Sequence, residues 1–170
     1  MDKGLKLTVP QADDVEKILD FPLAIANGAN TRTRIAERYH FDERQADYYI
    51  EAMEMLGLVK RRGGVCILTS RGQQYCVMDP TQQKLTMVRK MLILPIITLV
   101  LAEMFSDSHH SISRGEIEKL IEQNSKIHKS TIPRRAQCIM IWLRWIGDQT
   151  NTISGETEHI ELSFATPTSQ

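Results

Sequence analysis

Asp42-Glu43-Arg44-Gln45-Ala46-Asp47-Tyr48-Tyr49-Ile50-Glu51-Ala52-Met53-Glu54-Met55-Leu56-Gly57-Leu58-Val59-Lys60-Arg61-Arg62-Gly63-Gly64-Val65-Cys66-Ile67-Leu68 is the stretch on which the fold turns. Asp42 is a natural helix cap, and Ala46, Tyr49, Ile50, Met53 and Leu56 follow at the three-four spacing of an amphipathic helix. Gly57 suits the C-terminal stop of that helix. Leu58-Val59-Lys60 and Val65-Cys66-Ile67-Leu68 then flank Arg61-Arg62-Gly63-Gly64, the pattern of a β-hairpin. An amphipathic helix therefore runs directly into a basic hairpin.

Working outward, residues 11–27 predict a helix kinked or broken near Pro22, because proline brings no amide donor. Asn27-Gly28-Ala29-Asn30 predicts a turn, and residues 31–39 a short helix with Ile35, Ala36 and Tyr39 inward. Thr69 or Ser70 can cap a further short helix through Tyr75, and Asp79-Pro80-Thr81-Gln82-Gln83 has the polarity of a linker. The order of elements then recurs. Residues 85–105 predict a long apolar helix bent by Pro95, followed by a polar loop over 106–110. Ser113 caps a helix through about Gln123, with Glu116 at the capping-box position and Ile117, Leu120 and Ile121 inward. A second long helix begins near Ile132-Pro133 and runs to Ile146, with Gly147 as its stop. Gln149–Ile153, a Ser154-Gly155 turn and His159–Phe164 complete a second hairpin pattern.

The halves superpose in sequence. Ala46, Ile50, Met53, Leu56 and Gly57 match Ala136, Met140, Leu143, Ile146 and Gly147 at a constant spacing of 90, and Arg44 matches Arg134. Ile35 matches Ile117 at a spacing of 82, so the second half carries about eight more residues between its second and third helices. Helix, short helix, amphipathic helix and hairpin is the order of a winged helix-turn-helix unit, which residues 30–75 resemble closely. The expected fold is mainly α with small β-hairpin wings, as two tandem winged helix-turn-helix units. The expected boundaries are 1–78 for the first unit, 79–83 for the linker, 84–165 for the second unit and 166–170 for a flexible tail.

Two motif pairs narrow the resemblance. The first half carries Arg44-Gln45-Ala46-Asp47-Tyr48-Tyr49 and Leu56-Gly57-Leu58-Val59. The second carries Thr131-Ile132-Pro133-Arg134-Arg135-Ala136-Gln137 and Trp142-Leu143-Arg144-Trp145-Ile146. Together, over about residues 30–165, these resemble a tandem winged-helix module found with bacterial type II restriction endonucleases. The resemblance implies DNA binding in a restriction, defence or transcription-regulation setting. A nuclease domain is part of such enzymes, and the sequence ends soon after the second hairpin. The implied role is thus reading DNA rather than cutting it, with a nuclease subunit or self-association as further partners.

Composition sets limits on function. The 170 residues carry 21 Lys plus Arg and 21 Asp plus Glu, which excludes binding of nucleic acid by bulk positive charge. Apolar residues at 42% and charged residues at 25% suit a folded chain. Three cysteines without close spacing, and a start without an apolar run, point to a reducing, cytoplasmic compartment. Met91–Ala102 is apolar over 12 residues except Thr98 and Pro95, shorter than the roughly 18–20 a membrane span requires, so no membrane partner is expected.

Local charge singles out candidate DNA contacts. Residues 126–147 contain Lys126, Lys129, Arg134, Arg135 and Arg144 and no acidic residue. Residues 42–57 contain Asp42, Glu43, Asp47, Glu51 and Glu54 against Arg44 alone. Because DNA contact is mostly phosphate contact, the second half is the expected main reader. Lys126, Lys129, Ser130 and Thr131 precede its long helix, where hydroxyls and amides suit phosphate, and Arg134, Arg135 and Gln137 occupy the first turns, where base edges are read. In the first half the candidates are Arg32, Arg34 and Arg38, the hairpin residues Lys60, Arg61 and Arg62, and Gln45 and Tyr48. The plainer alternatives are a solvated basic face and, for Tyr48-Tyr49 and the Trp142/Trp145 pair, packing.

No enzyme is expected. Asp13-Asp14 and Glu116-Ile117-Glu118-Lys119 read as helix-start or exposed-face charge, and Asp107 with His109-His110 lacks the rest of a metal shell. Cys66, Cys76 and Cys138 have no zinc spacing, and the sequence shows no glycine-rich phosphate loop. No cofactor is expected and the expected partner is double-stranded DNA. The rival reading is a protein–protein interaction or dimerisation module, which zero net charge and an acidic first helix face would suit.

Overall fold

Asp14, Thr31 and Asp42 each accept a hydrogen bond from the backbone amide three residues on, and each thereby starts a helix. The computed structural model describes residues 7–163. Among these it is mainly helical, with eight α-helices and two small antiparallel sheets. Phe164, the expected tail 166–170 and the first six residues lie outside the described part. The chain divides into two compact units, Pro10–Leu94 and the residues from Pro95 onward together with residues 7–9.

The first unit begins with α1 (Val15–Ala26), α2 (Arg32–Tyr39) and α3 (Glu43–Met55). Pro22 does not break α1: it lies inside a continuous helix, flanked by the buried Ile18, Phe21 and Ile25. Packing of that face outweighs the single hydrogen bond that proline removes. A full capping box between Asp42 and Gln45 opens α3, and Ala46, Tyr49, Ile50 and Met53 are buried along it as the periodicity predicts. Next comes the hairpin of β1 (Val59–Arg62) and β2 (Val65–Leu68), with Arg62 opposite Val65. Its two-residue turn holds Gly63 and Gly64 at φ 58° and 79°, the left-handed pair that such turns demand. Before α2, Thr31 bridges to Val65 and the Cys66 amide donates to the Asn30 carbonyl at 2.7 Å, so this segment lies along β2.

Two helices complete the unit, α4 (Ser70–Cys76), capped by Thr69, and α5 (Pro80–Leu92). The Tyr75 hydroxyl ties α4 to α1 by donating to the Leu19 carbonyl at 2.9 Å. Residues 79–83, read from the sequence as a linker, are the cap and first turn of α5, with Asp79 as N-cap and Pro80 as first residue. A proline that can stand in a loop also suits a first helical turn, where its missing donor is not needed.

The second unit begins with α6 (Pro95–Ser106). One long helix over 85–105 is therefore corrected to two, because Pro95 lacks a donor and drives Leu94 out of helical geometry. There follow β3 (Ser111–Ser113), α7 (Arg114–Asn124), a 3-10 turn Lys129–Thr131, α8 (Ile132–Thr150), β4 (Ile153–Gly155) and β5 (His159–Leu162). The strand β3 falls between the predicted loop over 106–110 and the helix capped by Ser113, where the sequence pattern predicts no strand. It pairs with β5, Ile112 opposite Ile160, and the sheet order is β3-β5-β4. Ser113 and Glu116 form the expected capping box.

The expected stop at Gly147 is also corrected. The helix α8 continues to Thr150 and ends at Asn151, in the left-handed region at φ 55°. Gly147 is buried inside it, and a Cβ there would sit 2.1 Å from the Ile153 carbonyl oxygen. The glycine serves close packing of helix on strand rather than termination. Ala136, Ile139, Met140, Leu143 and Ile146 are all buried, as the pattern predicts.

The order helix, strand segment, helix, helix, hairpin thus occurs once in each unit, with the early strand segment beside the last strand of the hairpin.

Candidate nucleic-acid interface

The approach to α8 is built by short local bonds. The Ser125 hydroxyl donates to the Ile121 carbonyl at 2.7 Å, and the Leu7 amide donates to the Asn124 carbonyl at 2.9 Å. His128 Nδ1 accepts from the Ser130 amide at 3.3 Å, and the Thr131 hydroxyl donates to the His128 carbonyl at 2.9 Å. These bonds hold Lys126, His128, Lys129 and Ser130 exposed in one segment. Lys129 forms an ion pair with Glu122 at 2.6 Å, but its side chain stays 84% exposed. A pair so open to water exchanges readily for another anion.

Beyond this segment the helix closes up. On α8 the exposed positions are Pro133, Arg134 and Asp148. Arg135 is half-buried and its guanidinium donates to the Val9 carbonyl, tying residues 7–9 to the helix. Gln137 and Arg144 are half-buried too, while Cys138 and Trp142 are fully buried. Of the expected base readers on this helix, Arg134 alone is exposed. Thr131 is half-buried and keeps its hydroxyl turned to the backbone.

In the first unit the structure sorts the basic residues into two groups. Arg32 reaches Asp47 at 3.0 Å and Glu43 at 3.4 Å, and its Nε donates to the Glu43 carbonyl at 3.0 Å. Arg61 folds back from the hairpin onto Glu54 at 2.8 Å and approaches Asp47 at 3.7 Å. The Glu54 hydrogen bond holds the Arg61 guanidinium above its ordinary pKa. Asp47 thus stands between two arginines, and much of the α3 carboxylate charge is met within the unit. Arg38 pairs with Asp20 at 3.0 Å, and Arg34 donates to the Gly28 carbonyl at 3.2 Å. Gln45 is engaged in the capping box, and Tyr48 is buried with Arg44 over its ring at 5.9 Å.

The second group is open. Among the described residues, Lys60, Arg62, Arg71, Lys84, Arg89 and Lys90 form no ion pair, and all but the half-buried Lys90 are exposed. Lys60 and Arg62 were expected contacts. Arg71, Lys84, Arg89 and Lys90 were not, although a signal existed. Residues 55–94 contain these six cations and Arg61 against the single acid Asp79. A boundary drawn at 79–83 divided that run between two domains and hid its one-sidedness.

No group of three or more His, Cys, Asp or Glu placed to hold a metal ion occurs among the described residues. The Asp107 carboxylate accepts from the His109 amide at 2.9 Å and from the Ser111 amide at 3.3 Å, which pulls its pKa down. That carboxylate shapes the turn before β3. No single helix among the described residues is long and apolar enough to cross a membrane.

Against known families, the model of a domain of unknown function, DUF7226, matches residues 17–151, and the chain belongs to that family. No curated protein and no solved structure matches it.

Proposed function

We propose that this DUF7226 protein binds double-stranded DNA through two tandem winged helices. The observation that carries the reading is the shared order of helix, strand segment, helix, helix and hairpin in both units. Exposed Lys126, Lys129 and Arg134 at the start of α8 support phosphate contact there. The reading differs from the sequence expectation in one respect. With Arg135 and Gln137 half-buried, the second unit anchors the backbone more than it reads bases. A restriction, defence or regulatory setting rests on the sequence resemblance.

Fluorescence anisotropy of a labelled duplex over a salt series tests the proposal. Log affinity should fall linearly with log salt, and each phosphate contact should add about 0.9 to the slope. Replacing Lys126 and Lys129 together by Ala should flatten the slope by about 1.8. Absence of binding at low salt, or a slope the double variant leaves unchanged, defeats it.

One observation favours the interaction-module rival. Val77 at the end of α4, Leu85 on α5 and Ile93 at the end of α5 are exposed at 86%, 44% and 74%. That reading gains if duplex binding is absent and replacing Val77 and Leu85 by Ser changes the protein's association state.

A further inference from the structure

One turn of the first unit lies where three elements that carry cations meet or begin. Lys90 Nζ donates to the Leu56 carbonyl at 3.0 Å, which places the end of α5 at the end of α3. The Thr69 hydroxyl donates to the Gly57 carbonyl at 2.8 Å, and the Thr69 amide donates to the Leu58 carbonyl at 2.9 Å. Gly72 packs so closely that a Cβ there would sit 2.1 Å from the Leu58 oxygen. Arg71, between Thr69 and Gly72, therefore leaves from backbone packed on the same turn. Lys60 leaves the turn two residues later on β1, exposed where its neighbour Val59 is buried.

The arrangement has an electrostatic cost that no acidic side chain offsets among the described residues. Arg71 and Lys90 lie near enough to repel, and burial followed by the Arg71 charge lowers the Lys90 pKa. Neither has an acidic partner among the described residues, and neither does Lys60. By contrast, Arg61 beside them on the hairpin has Glu54 and Asp47. A neighbouring carboxylate was thus supplied to one cation of the hairpin and withheld from the turn. Like charges gathered without a counter-charge are what an anion would relieve.

We infer that Arg71 and Lys90 at the Leu56–Leu58 turn, with Lys60 two residues beyond it on β1, form a second site for a backbone phosphate of the duplex. The inference rests on the DNA-binding reading and extends it. The first unit contacts DNA through the turn after α3 and not through the acidic face of α3. Lys90 is fixed by its bond to the Leu56 carbonyl, and Arg71 supplies a planar donor fork suited to phosphate oxygens.

The test uses the full chain in the same anisotropy salt series. Among the described residues the Arg71 side chain forms no ion pair, and its loss relieves the repulsion on Lys90, so Arg71→Gln should hold the thermal midpoint or raise it slightly. It should lower the salt slope by about 0.9, and Arg71→Gln with Lys60→Gln by about 1.8. Arg71→Lys should keep the slope. Arg89→Gln, which removes the exposed cation next to Lys90 on α5, should leave it unchanged. If the wild type binds with a salt-dependent slope and Arg71→Gln matches it, this inference fails while the DNA reading stands. If Arg71→Gln and Arg89→Gln flatten the slope equally, diffuse charge rather than a site is at work, and the inference fails. Wild type that binds no duplex defeats both. Inorganic phosphate forms the last arm: a midpoint rise in wild type that Arg71→Gln abolishes, with the duplex slope unaffected, assigns the site to free anions and overturns the inference.

Discussion

Replacing Gly147 by Ala sets two known effects against each other. The residue lies inside α8, where alanine is favoured over glycine by about 1 kcal/mol. Propensity alone therefore forecasts a more stable protein. A Cβ at this position, however, would lie 2.1 Å from the Ile153 carbonyl oxygen, 2.8 Å from its carbon and 2.9 Å from its Cβ. The first contact is more than 1 Å inside the ~3.5 Å optimum for non-bonded heavy atoms. The obstructing atoms are backbone, and Ile153 is held in the ladder of β4 opposite Leu162. Relief requires α8 and the sheet to move apart. Overpacking costs about 1–3 kcal/mol and occasionally more, and a backbone obstruction belongs at the upper end. The net loss should be about 2 kcal/mol, which lowers the midpoint by roughly 8–16 °C for a unit of this size.

The assay is thermal unfolding followed by tryptophan fluorescence. Both tryptophans, Trp142 and Trp145, lie in α8, so the signal reports on the second unit. Gly115→Ala is the control, since Gly115 lies in the first turn of α7 with no atom within 4 Å of its added Cβ. That variant should gain up to about 1 kcal/mol. A Gly147→Ala protein that melts at or above the wild type would refute the close packing of α8 on β4. Equal losses in both variants would show that glycine mattered for some other reason.

Arg135→Ala should act on stability: it removes a charge-assisted bond to the Val9 carbonyl, worth about 1.5–3 kcal/mol, and a urea titration should show the midpoint fall. Asp47→Asn releases Arg32 and Arg61 from a shared carboxylate; these side chains are 30–46% exposed, so stability should change by less than about 1 kcal/mol. Duplex affinity should rise in the same anisotropy series, and a fall would count against contact by the first unit. Glu116 has its pKa lowered by the Ser113 hydroxyl and amide, so its contribution is present above the ordinary carboxylate pKa of 4.5 and fades as pH falls through the lowered value. Stability curves of wild type and Glu116→Ala should therefore be separate at pH 6 and converge toward pH 3; parallel curves would exclude an ionised cap.

The helices were legible because their signals are local. Asp42, Ser113 and Pro133 announce helix starts, and the buried stripe from Ala136 to Ile146 shows at three-four spacing. The hairpin over residues 59–68 was equally plain, since Gly63-Gly64 admits few other turns. What escaped notice depends on contacts distant in sequence. Ser111–Ser113 is a strand because β5 pairs with it from about 48 residues away, and three residues carry no periodicity of their own. Gly147 resembles Gly57 in sequence, yet one is buried in a helix and the other ends one at φ 68°. Only the approach of Ile153 separates the two cases.

Charge was the least legible property, for the same reason. A count along the sequence treats Arg61 and Arg62 as one basic pair, but the fold assigns Arg61 to Glu54 and leaves Arg62 open. Arg134 and Arg135 divide likewise, the first exposed and the second bound to the Val9 carbonyl. Alternation of side-chain direction along a strand or helix makes neighbours in sequence face different surroundings. The cations left at least partly exposed, Lys126, Lys129 and Arg134 in one unit and Lys60, Arg71 and Lys90 in the other, lie at turns and helix ends rather than along helix faces. Contacts of that kind fix a duplex by its phosphates and supply few donors to base edges. If the protein binds a duplex as proposed, affinity should depend steeply on salt and weakly on sequence, and discrimination among sites should fall mainly to the shape of the DNA.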